Sequence, residues 1–391
     1  MANDPYYRDT VAEIDLDAIA HNVKQFKRRL MPKVRLMVAV KADAYGHGAF
    51  PVSEAALEAG ATDLAVAFLD EAIALRKAGI TAPILVFGRI PERGIAEALR
   101  QQVTFTVFDV QALRSISHIA MEQGVRARVH LKMDTGMGRL GVWGDGIILL
   151  AEEAATLPGI ELEGLYTHFA TADEKDKSYT RQQYGRLVEV NEKLHQRGIH
   201  IPLIHCANSA AAIDLPELMQ GMIRVGISLY GYYPSTEVDQ TAVELRPALT
   251  LKTRVVQVKK SEPGTGISYG RTHIPKEGEW VATLPIGYAD GFSRLLSNRG
   301  FALVRGQRVP IIGRVCMDQT MIDVTSVMPI KPGEEVVLYG TQAGETIHVD
   351  EIASMMGTIS YEVTCLLGQR IPRCYIRKGS KVSFSNPLLI E

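Results

Sequence analysis

The amino-acid sequence predicts an α/β protein, a (β/α)₈ barrel N-terminal domain followed by a mostly-β C-terminal domain, and three observations carry that expectation. Its 391 residues exceed one ordinary domain, so two domains of about 150 to 250 residues are expected. From about residue 35 to 230, short β-branched or apolar runs recur every 20 to 40 residues with helical segments between them. After about residue 238 the pattern changes to period-two and short apolar runs broken by Gly and Pro turns. The division is placed at 10–238 for the barrel and 239–391 for the β-rich domain, with YYPSTEVDQT at the junction.

The runs are 35–40 (RLMVAV), 63–67 (DLAVA), 83–87 (PILVF), 103–108 (VTFTVF), 126–133 (RARVHLKM), 160–166 (IELEGLY), 202–206 (PLIHC) and 222–226 (MIRVG). Eight strand–helix units in about 200 residues suit a closed barrel better than a doubly wound sheet, which has fewer strands and a Gly-rich first turn. One intervening helix is legible residue by residue: Asp70 as N-cap, Glu71 at the positive helix end, Ala72, Leu75 and Arg76 inside, and Gly79 at C′, nine residues in all. The second domain takes its strands from ALTLKTRVVQVKK, EWVATLPIGYA, FALVRG, RVPIIGRV, QTMIDV and EEVVLYG.

Composition narrows the function classes. The chain is 46% hydrophobic, 22% charged and 7% aromatic, that of a folded globular protein. With 43 basic and 44 acidic side chains it has no electrostatic footprint for nucleic acid or anionic membrane. Cys206, Cys316, Cys365 and Cys374 show no C-x-x-C spacing and are expected as free thiols in a reducing compartment. The polar N-terminus and the lack of an apolar run of about 18 residues lead to the expectation of a cytoplasmic protein.

Catalytic groups of a (β/α)₈ barrel stand at the C-terminal ends of its strands. There the first run opens into Lys41 to Gly48, the fifth into Lys132 to Arg139, the sixth into Tyr166-Thr-His168, the seventh into His205-Cys-Ala-Asn208-Ser209, and the eighth carries Arg224, Gly226 and Ile227. A lysine at a barrel mouth is either a snorkelling strand-end residue or a desolvated amine able to form an imine. Ser209 and the N–H groups near Gly226 and Ile227 either make ordinary turns or hold a phosphate. His130 and His205 lack paired spacing and are expected as partnered strand-end residues, not metal ligands.

Val40-Lys-Ala-Asp-Ala-Tyr-Gly-His-Gly48 resembles the pyridoxal-phosphate lysine motif of alanine racemases. In the family's order, His130 to Gly141, Leu165 to Ala170, His205 to Ser209, Ile267-Ser-Tyr-Gly270, Pro285 to Gly291, Gly313 to Asp318 and Ile359 to Val363 are similar too, so the resemblance spans nearly the whole chain. It implies a fold-type-III enzyme that depends on pyridoxal 5'-phosphate, interconverts L-alanine and D-alanine for peptidoglycan synthesis, and works as a head-to-tail homodimer with shared active sites.

The same resemblance implies the roles. Lys41 carries the cofactor and acts on the D-enantiomer; Tyr269 of the other subunit acts on the L-enantiomer, because racemisation needs proton carriers on both faces of the reacting carbon. A tyrosine, with an ordinary pKa near 10, needs positive neighbours to serve as a base, and His168 and Arg224 are expected there. Arg224 would meet the pyridine nitrogen, which stays unprotonated beside a group that has no acceptor. Arg139 and the Met317 N–H would bind the substrate carboxylate; Lys132 stands where many members are carbamylated. Tyr45, Asn208, Ser209, Gly226, Ile227 and Tyr361 match cofactor contacts, Tyr288 with Tyr361 the substrate entrance, and Asp318 a position near it. A serine or broad-specificity racemase, a fold-type-III decarboxylase suggested by Cys316 with Asp318, and a non-catalytic cofactor carrier are the alternatives.

Overall fold

The strands of the barrel are parallel and, for most of their length, buried on both faces, which is why they appear in the sequence as unbroken apolar runs. The computed structural model describes residues 6–262 and 264–389. They divide into two units: Ala18–Ala44 with Ala49–Arg246, and residues up to Asp17 with Tyr45–Gly48 and the chain from Pro247 onward.

The first strand, β1 (Val11–Asp15), belongs to the second unit. The first unit contains β2 (Arg35–Ala39), β3 (Asp63–Val66), β4 (Ile84–Val86), β5 (Thr104–Val107), β6 (Ala127–Asp134), the short β7 (Val142–Trp143) beside it, β8 (Ile160–Tyr166), β9 (Leu203–His205) and β10 (Met222–Val225). Their order is β10-β2-β3-β4-β5-β6-β8-β9, and the Arg224 N–H donates to the Ala207 carbonyl at 2.9 Å, joining the chain after β9 to β10. All eight expected runs are strands of this sheet.

The helix after β3 runs Leu69–Lys77, nine residues, and Gly79 (φ +101) follows it. Its N-cap is Phe68, not Asp70. The Glu71 carboxylate accepts the Ala67 and Phe68 N–H groups at 2.7 and 3.1 Å, so a side chain inside the first turn caps the chain from downstream.

Inside the barrel, apolar residues share the space with a polar column. Gly164 of β8 makes room for it: a Cβ there would lie 2.6 Å from the His130 ring.

The second unit is a sheet in the order β12-β13-β16-β15-β14-β17-β11-β1-β19-β20, comprising β11 (Leu249–Arg254), β12 (Gln257–Lys260), β13 (Trp280–Leu284), β14 (Phe301–Val304), β15 (Gln307–Ile312), β16 (Thr320–Asp323), β17 (Glu335–Gln342), β18 (Glu345–Ile347, beside β17), β19 (Arg373–Arg377) and β20 (Ser380–Ser385). Residues 10–17, placed with the barrel by the sequence division, instead supply β1, antiparallel to β11 and parallel to β19. Buried Asp290 receives both Arg8 guanidinium nitrogens at 2.6 Å, pinning the N-terminal segment to this unit. Among the described residues no helix is long and apolar enough to cross a membrane.

Gly164→Ala should lower the unfolding free energy by about 1–3 kcal/mol through overpacking against His130. Denaturant titration checks this; unchanged stability would show that the column tolerates the methyl group.

Candidate active site

Lys41 stands just beyond β2, whose continuation is fixed by the Val40 N–H donating to the Ala65 carbonyl at 2.9 Å. The chain then turns with left-handed sense: Ala42, Asp43 and Ala44 have φ of 52, 51 and 53°. Each such non-glycine residue costs about 1–2 kcal/mol. The Ala44 N–H reaches the Val40 carbonyl at 2.9 Å, the Asp43 carboxylate accepts the Ala49 N–H at 2.7 Å, and the Glu71 carboxylate accepts the Ala42 N–H at 2.6 Å.

Arg224, on β10, is buried in the same barrel. Its Nη2 donates to the Thr167 and Cys206 carbonyls at 2.7 and 3.0 Å, and its Nη1 lies 3.0 Å from His205 Nδ1. A guanidinium only donates, so His205 Nδ1 is the acceptor and its proton sits on Nε2. That nitrogen lies 3.0 Å from His130 Nδ1, and His130 Nε2 lies 3.1 Å from Glu163 Oε2. The proton positions are therefore forced along the column: Arg224 donates to His205, His205 to His130, and His130 to the Glu163 carboxylate. The hydrogen bond from His130 holds Glu163 down at about 2 despite burial, with the Arg35 guanidinium adding to the effect. Burial first, then Arg224, pushes His205 far below the ordinary imidazole range. Tyr166 stacks on His205 at 4.7 Å between centroids, donates or accepts at Thr106 Oγ1 at 2.8 Å, and is pushed up to about 12 by burial.

Lys132 Nζ sits 4.2 Å above the Tyr166 ring. Burial, then Arg224 and Arg139, push its amine far down, and Asp134 opposes this. His168, with Nδ1 at 3.4 Å from Arg224 Nη2, is likewise driven far down by burial and by Arg224, Lys132, Arg139 and Lys41. Of the two neighbours expected to be positive, Arg224 alone therefore carries charge at neutral pH. Arg139 is exposed on the loop after β6, where Asp134 Oδ1 accepts the N–H groups of Gly136, Met137 and Gly138 at 2.9, 3.0 and 3.2 Å. Gly141 (φ +127) lets this loop return, since a Cβ there would lie 2.5 Å from the Asp134 nitrogen.

At the ends of β9 and β10, Asn208 caps the helix Ser209–Asp214 by accepting the Ala211 N–H at 3.0 Å, and the Ser209 hydroxyl accepts the Gly226 N–H at 2.9 Å. Lys41, Lys132, Arg139, His168, Asn208, Ser209, Arg224, Gly226 and Ile227 thus all stand at the strand ends or following loops of the first unit. Among the described residues no cluster of His, Cys, Asp or Glu is placed to hold a metal ion.

The other expected residues belong to the second unit. The Tyr45 and Tyr361 rings lie 6.0 Å apart, and burial, then Tyr361 and Cys365, push the Tyr45 phenol up. Tyr269 is 73% exposed on a short 3₁₀ turn after Ser268, whose hydroxyl bonds to the Arg314 carbonyl at 2.7 Å and lies 3.2 Å from Cys316 Sγ. The Cys316 and Met317 carbonyls accept the Tyr288 and Ala289 N–H groups at 2.9 and 3.1 Å. These bonds join the backbone segments that carry Tyr269, Tyr288 and Met317, and all three side chains are exposed. Asp318 pairs with Arg370 at 2.7 Å. Sequence reasoning missed the column below Arg224 and the Glu71 anchor; for the column, a half-buried glutamate beside a buried glycine in β8 was the available signal.

A family model for the N-terminal domain of alanine racemase matches residues 14–234, and one for the C-terminal domain matches 248–375. The chain is 50% identical to an alanine racemase of Desulforamulus reducens over 368 residues, covering 93% of this chain and 98% of that one. It is 48% identical to alanine racemase 2 of Caldanaerobacter subterraneus subsp. tengcongensis over 384 residues, 98% and 99% of the two chains. A crystal structure of alanine racemase from Bacillus anthracis with bound L-Ala-P superposes with a TM-score of 0.93 at 43% identity, covering 98% and 99%.

His168 and His205 are neutral in the fold and titrate near 6.5 when unfolded. Below that pH the unfolded chain takes up protons the fold refuses, so stability present above about 6.5 is lost as pH falls. Unfolding titrations should show a loss of about 2 kcal/mol between pH 6.5 and 5.5, before carboxylates titrate. A flat profile would mean that the folded imidazoles take up protons over the same pH range as the unfolded ones, and would contradict their depression by burial.

Proposed function

Because the chain belongs to the alanine racemase family, we propose that its barrel mouth holds pyridoxal 5'-phosphate, the family's cofactor, between two proton carriers, Lys41 and Tyr269. The enzyme interconverts L-alanine and D-alanine. The observation that carries the proposal is the donor set at the ends of β2, β9 and β10: an amine at Lys41, a buried guanidinium at Arg224 whose nitrogens only donate, and the Ser209 hydroxyl against the Gly226 N–H.

That set fits the cofactor's aldehyde, ring nitrogen and phosphate. Bound there, pyridoxal phosphate supplies an electrophilic carbonyl for amines and a conjugated ring that takes up the electron pair left by the departing α-proton. Lys41 would hold it covalently; Tyr45, Asn208, Ser209, Gly226, Ile227 and Tyr361 would hold its phosphate end and His168 its ring. Arg224 keeps its charge and its proton, so a ring nitrogen meeting it remains an acceptor. Arg139 would hold the phenolic oxygen and the substrate carboxylate with two-pronged geometry, and the Met317 N–H would meet the same carboxylate. Tyr288 and Asp318 would border the entrance.

Lys41 Nζ takes or returns the α-proton on one face and the Tyr269 hydroxyl on the other, so that a proton removed on one side and delivered on the opposite side inverts the centre. Burial and two guanidiniums push the Lys132 amine well down, which favours the unprotonated form that can add to carbon dioxide; the new N–C bond would form as a proton leaves to solvent, and the resulting anion would orient Arg139.

Tyr269, Met317 and Tyr288 reach the site from a second copy of the chain, giving a homodimer with shared sites. Their exposure, 73%, 52% and 43%, supports an interface there.

In Tyr269→Phe, D-alanine should keep exchanging its α-hydrogen with deuterated water, while L-alanine exchange and net racemisation fall by about 10²–10⁴-fold. Proton NMR of each enantiomer separates the outcomes, and L-alanine exchange surviving at the D-alanine rate would assign the second face to another group. Lys41→Ala should lose the visible absorbance of the bound cofactor. Mixed with Tyr269→Phe and refolded, it should regain activity through one intact site per mixed dimer; mixed dimers without activity would refute the sharing of sites between chains.

A further inference from the structure

Glu71 lies outside the motifs that carry the reaction, yet its carboxylate collects three backbone N–H groups from two neighbouring strand ends. Oε1 accepts from Ala42 at 2.6 Å, and Oε2 accepts from Ala67 at 2.7 Å and Phe68 at 3.1 Å. Ala42 directly follows Lys41 at the end of β2, whereas Ala67 and Phe68 follow β3. The carboxylate therefore ties the Lys41 turn to the adjacent strand.

The Ala42 N–H lies in the rigid peptide plane that begins at the Lys41 carbonyl carbon, so holding that N–H fixes ψ of Lys41. It also holds the first of four successive non-glycine residues with positive φ, Ala42, Asp43, Ala44 and Tyr45. Residues with a Cβ leave this conformation unless surrounding bonds over-determine it. Ala42 and Asp43 are exposed, so packing does not supply the constraint at the start of the turn.

We propose that Glu71 is a positioning residue for Lys41: by accepting the Ala42 N–H it locks the peptide after Lys41 and the left-handed turn, so that the amine addresses one face of the reacting carbon. This rests on the assignment of Lys41 as one of the two proton carriers. Glu71 acts through the backbone and touches neither cofactor nor substrate.

Glu71→Gln tests it with nearly unchanged shape. Glutamine offers one oxygen and two N–H donors, so it cannot serve Ala42 and the Ala67–Phe68 pair together, and its amide nitrogen opposes whichever N–H it meets. In the holoenzyme variant the Ala42 amide should exchange with solvent about 10- to 100-fold faster, the range expected for a lost charged hydrogen bond. Exchange of the α-hydrogen of D-alanine should fall by about 10²-fold relative to that of L-alanine, because only the Lys41 face is misaligned. A general structural role would slow both enantiomers alike; equal slowing, or an Ala42 amide that stays protected in the variant, overturns the proposal.

Lys41→Ala serves as the control: if it retains D-alanine exchange, the assignment of Lys41 fails, whereas the Ala42 amide measurement still decides whether Glu71 anchors the turn. Should the glutamine variant not fold, the wild-type holoenzyme remains decisive. Its exposed Ala42 amide must then exchange more slowly than an unstructured peptide, and exchange at the free rate overturns the proposal.

Discussion

The charge of Arg224 is sealed inside the barrel, and much of the first unit's interior is arranged around it. An unpaired buried charge costs several kcal/mol, so each guanidinium nitrogen needs an acceptor that does not itself bring a competing proton. Two backbone carbonyls, of Thr167 and Cys206, meet that need at Nη2, and the Nδ1 of His205 meets it at Nη1. His205 passes the requirement to His130, and His130 passes it to Glu163, whose negative charge balances Arg224 across two neutral rings. At the far end Arg35 pairs with both Glu163 and Asp63. A column of hydrogen bonds with one allowed direction thus runs through the core.

That direction has consequences at the barrel mouth. Beside Arg224, burial and the guanidiniums of Arg224 and Arg139 push the Lys132 amine and the His168 imidazole well below their ordinary ranges, which lessens repulsion among like charges at the mouth. A cofactor ring nitrogen held by Arg224 would face only donors and would remain an acceptor. Placement of Lys41 is a separate problem, solved at the turn after β2 by a strained backbone and the acceptors that hold it.

Much of the fold was legible because its causes are local. The barrel strands appear as apolar runs since both faces are buried, and Lys41, Lys132, His168, Ser209 and Arg224 stand out as polar residues where those runs end. What escaped depends on contacts distant in sequence. Residues 11–15 form a strand by their own pattern, but their partners lie at 249–254 and 373–377, so a linear division placed them with the barrel. The column needs His130 of β6, Glu163 of β8 and His205 of β9 to face one another, and register across three strands is not written in any one of them. Glu71 was legible as a helix-start residue; that its carboxylate also reaches Ala42 depends on the neighbouring strand end.

The most direct test of this picture is the protonation state of His205. Nitrogen NMR of protein labelled in its histidines distinguishes a ring protonated at Nε2 alone from one protonated at Nδ1 or at both nitrogens. The column requires His205 with a bare Nδ1 and a protonated Nε2 at neutral pH, and His130 in the same form. A proton on His205 Nδ1, alone or as part of an imidazolium, would leave Arg224 facing a donor and would contradict the arrangement on which the site is built.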